Sequence, residues 1–331
     1  MSERRFGVIG GGSWATAIVK MLTNNLDQVN WWMRNDKSIE YIEKHHHNPK
    51  YIRSAEFNVE KLNLSSDIAS VVSSSDIIIL ATPSAFLNQV LGTLDKSAFE
   101  NKTVISAIKG IIPQTNEIPA DYLRNQFNVP ENLLGMISGP CHAEEVAMER
   151  LSYLTIGSPD KNIAEEVADA LSCRYIKTTT TDDLYGTELG AILKNVFAIA
   201  AGICHGLGYG DNFQSVLMSN SIQELERFVD KVSPVHRDVK GSAYLGDLLV
   251  TGYSLHSRNR RFGNYIGRGY SVGATKDEMR MVAEGYYAVK CIMDLNQKHQ
   301  VDLPITESVF HILYEDIPAR MEMRALADKL S

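Results

Sequence analysis

Six residues near the start, Gly10-Gly11-Gly12-Ser13-Trp14-Ala15, constrain what this chain can fold into more than any other feature. They come directly after a short apolar run, Phe6 to Ile9, and open a stretch with helical periodicity. That is the one context in which the pattern G-x-G-x-x-G/A carries structural meaning. Gly10 permits a tight turn, Gly12 lets backbone amides approach a pyrophosphate, and Ala15 is small enough for the helix to pack close to the strand. The N-terminus of the helix adds a preference for negative charge. A glycine turn that merely joins strand to helix is the bland alternative, and the pattern of the next 170 or so residues weighs against it.

Over that stretch short apolar runs alternate repeatedly with amphipathic segments, the pattern of strands and crossover helices in a parallel sheet. Candidate strands are Phe6 to Ile9, Val29 to Met33, Ile77 to Ala81, Thr103 to Ala107, Leu134 to Ile137 and Leu154 to Ile156. Ser66 to Val72 and Ala85 to Leu94 read as two of the helices between them, the second opened by Thr82-Pro83-Ser84. After about residue 183 the strand-like runs stop and long helical patterns take over, beginning with Tyr185 to Ala201 and continuing in Asn212 to Phe228, Asp277 to Gln300 and a run from Pro304 onward. Amid these helices lies Gly241 to Gly273, rich in Gly and Arg, which reads as an irregular ligand loop. The expected fold is therefore α/β plus all-α. A Rossmann-like doubly wound sheet over residues 1–182 precedes a helical domain over residues 183–331.

Composition removes several function classes. The 331 residues carry a net charge of -7, which leaves no basic face for a nucleic-acid backbone. Cys141, Cys173, Cys204 and Cys291 have no CxxC spacing, so reduced thiols in a cytoplasm are expected, with no disulfide framework. No His, Cys or carboxylate cluster has metal-ligand spacing, and no metal site is predicted. No uninterrupted apolar run approaches the roughly 18 residues of a membrane span. The first residues run from Glu3-Arg4-Arg5 straight into a strand without an apolar signal segment.

Two basic residues stand where ligands collect at the carboxyl edge of an open sheet. Arg34 takes the place, at the end of the second strand, where an NAD-specific site commonly has a carboxylate, and a guanidinium there suits a 2′-phosphate. NADP or NAD is the expected cofactor, with NADP(H) at least accepted. Lys109, after the strand ending near Ala107, is either a ligand contact or a solvated loop lysine.

Later segments come in a characteristic order: Ile137-Ser138-Gly139-Pro140 with Ala143, Glu188-Leu189-Gly190-Ala191-Ile192-Leu193-Lys194-Asn195, Gly246-Asp247-Leu248-Leu249, Ser257-Arg258-Asn259-Arg260-Arg261-Phe262-Gly263, and Val282-Ala283-Glu284-Gly285-Tyr286. With the glycine turn and Lys109-Gly110, they closely resemble the bacterial, NAD(P)-dependent branch of the glycerol-3-phosphate dehydrogenase family, over nearly the whole chain. The resemblance implies an oxidoreductase that interconverts dihydroxyacetone phosphate and sn-glycerol 3-phosphate, supplying the latter for phospholipid synthesis. Carried over position by position, it implies cofactor contacts at Gly10, Gly12, Ser13, Trp14, Arg34, Lys109, Ala143, Arg258, Val282 and Glu284. It implies substrate contacts at Lys109, Gly139, Cys141, Lys194, Asn195, Asp247, Thr251, Ser257, Arg258 and Asn259, with Lys194 as the proton-transferring residue. Cys141 stands where the family usually has Ser or Thr, His142 replaces the common Phe, and Asn220 to Tyr244 departs from the usual pattern.

The chemistry is consistent with these residue types. Reducing a ketone develops negative charge on its oxygen, so the site needs a proton donor and nearby cations. Lys194, mid-helix among apolar residues, suits the donor if burial lowers its pKa, with Asp247 positioned to orient it. The competing expectation is a lysine that snorkels to solvent. Arg258 with Asn259 suits a phosphate, and Gly263, Gly267, Gly269 and Gly273 suggest a loop that closes over the ligand. A related two-domain hydroxy-acid dehydrogenase and a non-catalytic dinucleotide sensor are the rival readings. The apolar helical half predicts a homodimer.

Overall fold

The computed structural model describes residues 4–279 and 283–331. The chain divides into two compact units, Met1–Ile108 with Glu117–Leu184, and Lys109–Asn116 with Tyr185–Ser331. Lys109 therefore belongs with the helical unit although it comes just after a strand of the first.

The first unit is built on eight strands in the order β3-β2-β1-β4-β5-β6-β7-β8. These are β1 (Phe6–Ile9), β2 (Val29–Trp32), β3 (Leu62–Ser65), β4 (Ile77–Leu80), β5 (Thr103–Ser106), β6 (Leu134–Ser138), β7 (Ser152–Gly157) and β8 (Ile176–Thr181). The helices between them are α1 (Ser13–Leu22), α2 (Asp36–His45), α3 (Ile68–Ser73), α4 (Ser84–Leu91), α5 (Pro119–Phe127), α6 (Ala143–Ala147) and α7 (Lys161–Leu171). Strands β1, β2, β4 and β5 are buried along their whole length, so apolar residues dominate them without a polar face, although Asn30, Thr103 and Ser106 are buried among them. Val8 of β1 lies between Trp31 and Ile79 in parallel register. Strand order reverses at β1 and β4, so the glycine turn after Ile9 opens at the crevice where doubly wound sheets take ligands.

The structure corrects three sequence expectations. The sheet is not parallel throughout, because β7 runs antiparallel to β6 before β8 returns parallel to it. Strand β3 is absent from the apolar pattern, since Leu62 is its only fully buried residue. So is β8, whose sequence Ile-Lys-Thr-Thr-Thr-Thr buries only Ile176. Both are held by ladder pairing rather than by an apolar face, and the Ile and Thr residues of β8 add β-branched side chains suited to a strand.

The second unit is helical among its described residues: α8 (Leu184–Leu207), α9 (Asp211–Val232), α10 (Asp247–Tyr253), α11 (Arg258–Gly267), α12 (Val272–Met279), α13 (Glu284–His299), α14 (Pro304–Tyr314) and α15 (Ala319–Ala327). Helix α8 is long and apolar enough to cross a membrane by length and composition, but 89% of its most apolar window is buried inside the protein, as befits a core helix. The stretch Asp277 to Gln300, expected as one helix, holds the end of α12 and all of α13, with residues 280–282 between them outside the described residues.

The largest correction concerns Gly241 to Gly273, which is not an irregular loop. It forms a π-helical turn (Ser242–Gly246), α10, α11 and the start of α12. Two of its glycines, Gly263 and Gly267, are there for close packing. A Cβ on Gly263 would lie 2.0 Å from the Ile199 carbonyl oxygen and one on Gly267 2.3 Å from that of Ile203. Reciprocally, a Cβ on Gly202 would lie 2.0 Å from the Arg260 carbonyl oxygen and one on Gly206 2.5 Å from that of Asn264. Helices α8 and α11 thus cross backbone to backbone, a contact possible only where both lack side chains. Gly263 and Gly267 do not form a closing lid.

Gly263→Ala is expected to destabilise the protein by about 2–3 kcal/mol, because neither backbone can yield to the new methyl. Gly273→Ala, in a helix where a Cβ meets nothing within 4 Å, is expected to be neutral or to stabilise by up to about 1 kcal/mol. Urea unfolding midpoints of the two variants measure the contrast, and equal effects would contradict the close crossing.

Candidate active site

In the first unit the glycine turn has the form that its sequence demands. Gly10 adopts φ +145°, and a Cβ there would stand 2.5 Å from the Ala81 carbonyl oxygen, so no other residue fits. Gly12 is the N-cap of α1 and places no side chain over the helix end, and a Cβ at Gly12 would meet nothing within 4 Å. Gly12 thus covers the N-terminus of α1 with no side chain of its own, and this cradle fits a pyrophosphate. Arg34 is exposed immediately after β2, before Asn35, whose side chain accepts from the Lys37 amide at 3.0 Å and caps α2. Gly139 comes just after β6 with φ +108°, where a Cβ would meet the Tyr153 carbonyl oxygen at 2.8 Å. Cys141 is half-buried, and Ala143, the buried first residue of α6, packs in the core of this unit.

The second unit gathers most of the remaining expected residues. Asp247, at the start of α10 and almost fully buried, is paired with Lys194 through Oδ1 and with Lys109 through Oδ2, the latter at 3.0 Å. Lys194 does not snorkel, since its side chain is only 5% exposed. Burial drives its pKa down, and although Asp247 opposes this, the added repulsion from Lys109 helps to bring it to about 7. Burial alone would raise the Asp247 carboxyl, but the attraction of Lys109 and Lys194 prevails and holds it below the ordinary carboxylate value. One carboxylate thus stays charged between two amines, one of which gives up its proton near neutrality.

Hydrogen bonds made by side chains, most of them to backbone groups, fix the surroundings. Asn195 Nδ2 donates to the Lys109 carbonyl at 2.6 Å, Asn259 Nδ2 donates to Asn195 Oδ1 at 2.9 Å, and the Gly285 amide donates to Asn259 Oδ1 at 3.0 Å. The Thr251 hydroxyl donates to the Asp247 carbonyl at 2.6 Å. Ser257 caps α11 by accepting from the Arg260 amide at 3.2 Å, which leaves Arg258 half-buried as the first residue of that helix. Glu284 is the half-buried first residue of α13, while Val282 lies outside the described residues. Sequence reasoning missed Gly285, where a Cβ would lie 2.5 Å from the Asn195 carbonyl oxygen. A lone glycine beside a candidate contact residue was the available signal.

A dinucleotide-type glycine turn on a doubly wound sheet, joined to a helical unit with a buried lysine–carboxylate–lysine cluster, defines a class: two-domain dehydrogenases that use a nicotinamide cofactor. Comparison with known proteins narrows it. Residues 5–164 match the family of the NAD-dependent glycerol-3-phosphate dehydrogenase N-terminus, and residues 183–324 match that of its C-terminus. The glycerol-3-phosphate dehydrogenase (NAD(P)+) of Staphylococcus epidermidis is 33% identical over 327 residues, 98% of each chain. The protein of the same name from Macrococcus caseolyticus is 35% identical over 324 residues, 97% of each. The crystal structure of glycerol-3-phosphate dehydrogenase from Coxiella burnetii superposes with a TM-score of 0.89 at 26% identity, covering 98% of this chain and 99% of that one. The chain belongs to the NAD-dependent glycerol-3-phosphate dehydrogenase family. A D-mandelate dehydrogenase superposes with a TM-score of only 0.61 at 16% identity, covering 94% of this chain and 98% of that one, so the hydroxy-acid alternative is not favoured.

Asp247→Asn leaves two buried or half-buried amines without their carboxylate, and at pH 6 it is expected to cost about 3–5 kcal/mol of stability. The sign of the pH dependence is set by Lys194. Its folded pKa, about 7, already lies below the unfolded 10.5, and losing Asp247 lowers it further. The extra penalty therefore appears below pH 7 and disappears above it. Denaturant titrations at pH 6 and pH 9 measure the difference, and a deficit that grows with pH would refute this electrostatic account.

Proposed function

We propose that the chain catalyses reversible hydride transfer between NAD(P)H and dihydroxyacetone phosphate, giving sn-glycerol 3-phosphate for phospholipid synthesis. The observation that carries the reading is the buried Lys109–Asp247–Lys194 cluster. The cofactor, when bound, supplies hydride to the ketone carbon or accepts it from the alcohol. Everything else is done by the chain. Gly10, Gly12, Ser13 and Trp14 hold the pyrophosphate, Arg34 pairs a 2′-phosphate and so admits NADP as well as NAD, and the family resemblance assigns further cofactor contacts to Ala143, Val282 and Glu284. Arg258 and Asn259 bind the substrate phosphate through charge-assisted hydrogen bonds. The family resemblance assigns further substrate contacts to Gly139 and Cys141 and, in the helical unit, to Asn195, Thr251 and Ser257.

Lys194 Nζ delivers a proton to the carbonyl oxygen as charge develops there and recovers it in the reverse direction. Its depressed pKa suits both tasks near neutrality. Lys109 adds a second cation, and Asp247 orients both amines. In this reading residues 1–182 bind the cofactor and residues 183–331 carry substrate binding and catalysis, with Lys109 reaching the second group from within the first stretch. A cytoplasmic setting, supported by four free cysteines, and a homodimer, supported by the exposed apolar residues Leu249, Tyr253 and Leu255 of the helical unit, belong to the same proposal.

The test is oxidation of NADPH, and separately NADH, on adding dihydroxyacetone phosphate. Lys194→Ala is expected to lower kcat by about a hundredfold to ten-thousandfold. For the native protein, kcat/KM for reduction is expected to fall as pH rises through about 7, where Lys194 loses its proton, and that for glycerol 3-phosphate oxidation to rise over the same range. Tight cofactor binding with no turnover, or two profiles moving in the same direction, would defeat the assignment.

A further inference from the structure

The three glycine carbonyls of the turn are each tied back by a side chain from behind. The indole Nε1 of Trp31, on the neighbouring strand β2, donates to the Gly10 carbonyl at 2.6 Å. Asn48, just after α2, donates through Nδ2 to the Gly11 carbonyl at 3.2 Å and to Thr16 Oγ1 at 2.9 Å. The Thr16 hydroxyl donates in turn to the Gly12 carbonyl at 2.8 Å. All three side chains are buried, Asn48 being 1% exposed. The amide of Asn48 cannot turn round, because its Oδ1 already accepts from the Lys50 and Tyr51 amides at 3.0 and 3.2 Å. In a trans peptide the C=O and the following N–H point in opposite directions. Fixing the carbonyls of Gly10, Gly11 and Gly12 therefore aims the amides of Gly11, Gly12 and Ser13 the other way, into the space beyond the N-terminus of α1.

We propose that Trp31, Asn48 and Thr16 are positioning residues that preset the turn, so that its amides meet the pyrophosphate of the dinucleotide already aligned. None of them touches the ligand. A glycine-rich segment is the most mobile backbone a chain can offer, and binding by such a segment would otherwise cost the ordering of several peptide planes. Buried donors ordered by folding remove that cost beforehand. The inference rests on reading the chain as dinucleotide-dependent but not on the identity of its substrate.

Fluorescence titration with NADH and with NADPH, without substrate, tests it on the native protein, Thr16→Val, Thr16→Ser and Asn48→Asp. Thr16→Val is close to isosteric and uncharged, but it cannot bond Asn48 or the Gly12 carbonyl. Asn48→Asp keeps the acceptor for the Lys50 and Tyr51 amides yet turns an oxygen toward the Gly11 carbonyl. Both are expected to raise Kd for either cofactor on the order of tenfold, equivalent to about 1.4 kcal/mol, with kcat at saturating cofactor unchanged. Thr16→Ser, which retains the hydroxyl, is expected to keep the native Kd. The double variant is expected to add little to either single change, because the two share one hydrogen bond. If Asn48→Asp does not fold, Trp31→Phe reads the same effect from the Gly10 end.

Folded variants that melt at lower temperature but bind with native Kd would overturn the proposal, since a purely structural role predicts that result. A native protein that binds both cofactors yet leaves dihydroxyacetone phosphate unreduced defeats the substrate reading alone and leaves the positioning inference supported by the binding data. One that binds neither cofactor overturns the inference.

Discussion

The close crossing of α8 and α11 is the constraint on which the helical unit's chemistry depends. Asn195, Ile199, Gly202 and Gly206 fall on one face of α8 at spacings of four, three and four residues, the helical repeat. Asn259, Gly263 and Gly267 do the same on α11. At one end of this seam the glycines let backbone meet backbone. At the other the gap is bridged by the Asn259–Asn195 hydrogen bond of 2.9 Å. The spacing that the glycines allow is thus the spacing that the amide bond requires, and Asn195 then fixes the Lys109 carbonyl while Asn259 fixes the start of α13. Arg258 and Lys194, each next to one of these asparagines, inherit their positions from the seam.

Burying three charges beside that seam is expensive, and the arrangement shows how the cost is limited. Two lysines and one carboxylate would leave an uncompensated charge in a poorly solvated place, which proteins rarely tolerate. The depressed pKa of Lys194 resolves this, because a neutral amine leaves a balanced Lys109–Asp247 pair. Desolvation, which makes this cluster costly to fold, is also what brings the Lys194 amine toward neutrality, the property on which its proposed role as proton donor rests.

Much of this was legible in the sequence, for identifiable reasons. The glycine turn, the buried central strands and the long helix α8 announce themselves through backbone constraint and periodicity, which are local properties. The family resemblance brought Lys109, Lys194, Asp247 and Asn259 into one candidate set that geometry then gathers in the helical unit. Reading Gly241 to Gly273 as a loop failed because glycine was scored for its conformational freedom, whereas here it supplies the absence of a Cβ, and only the partner helix reveals that. Strand β8 was missed because four consecutive threonines carry no apolar signal. Asn48 passed unnoticed because its role lies in contacts with Gly11 and Thr16, 37 and 32 residues away.

In the proposed reading the two halves hold a charged ligand in opposite ways. The sheet unit offers the backbone, so it must exclude side chains at Gly10 and Gly12 and depend on others, placed behind the turn, to aim the peptide planes. The helical unit offers side chains, so it must bury amines and balance them, and it becomes sensitive to protonation as a result. That division suits a reaction in which a bulky cofactor has to be held unchanged in both directions while a single proton comes and goes at the small substrate.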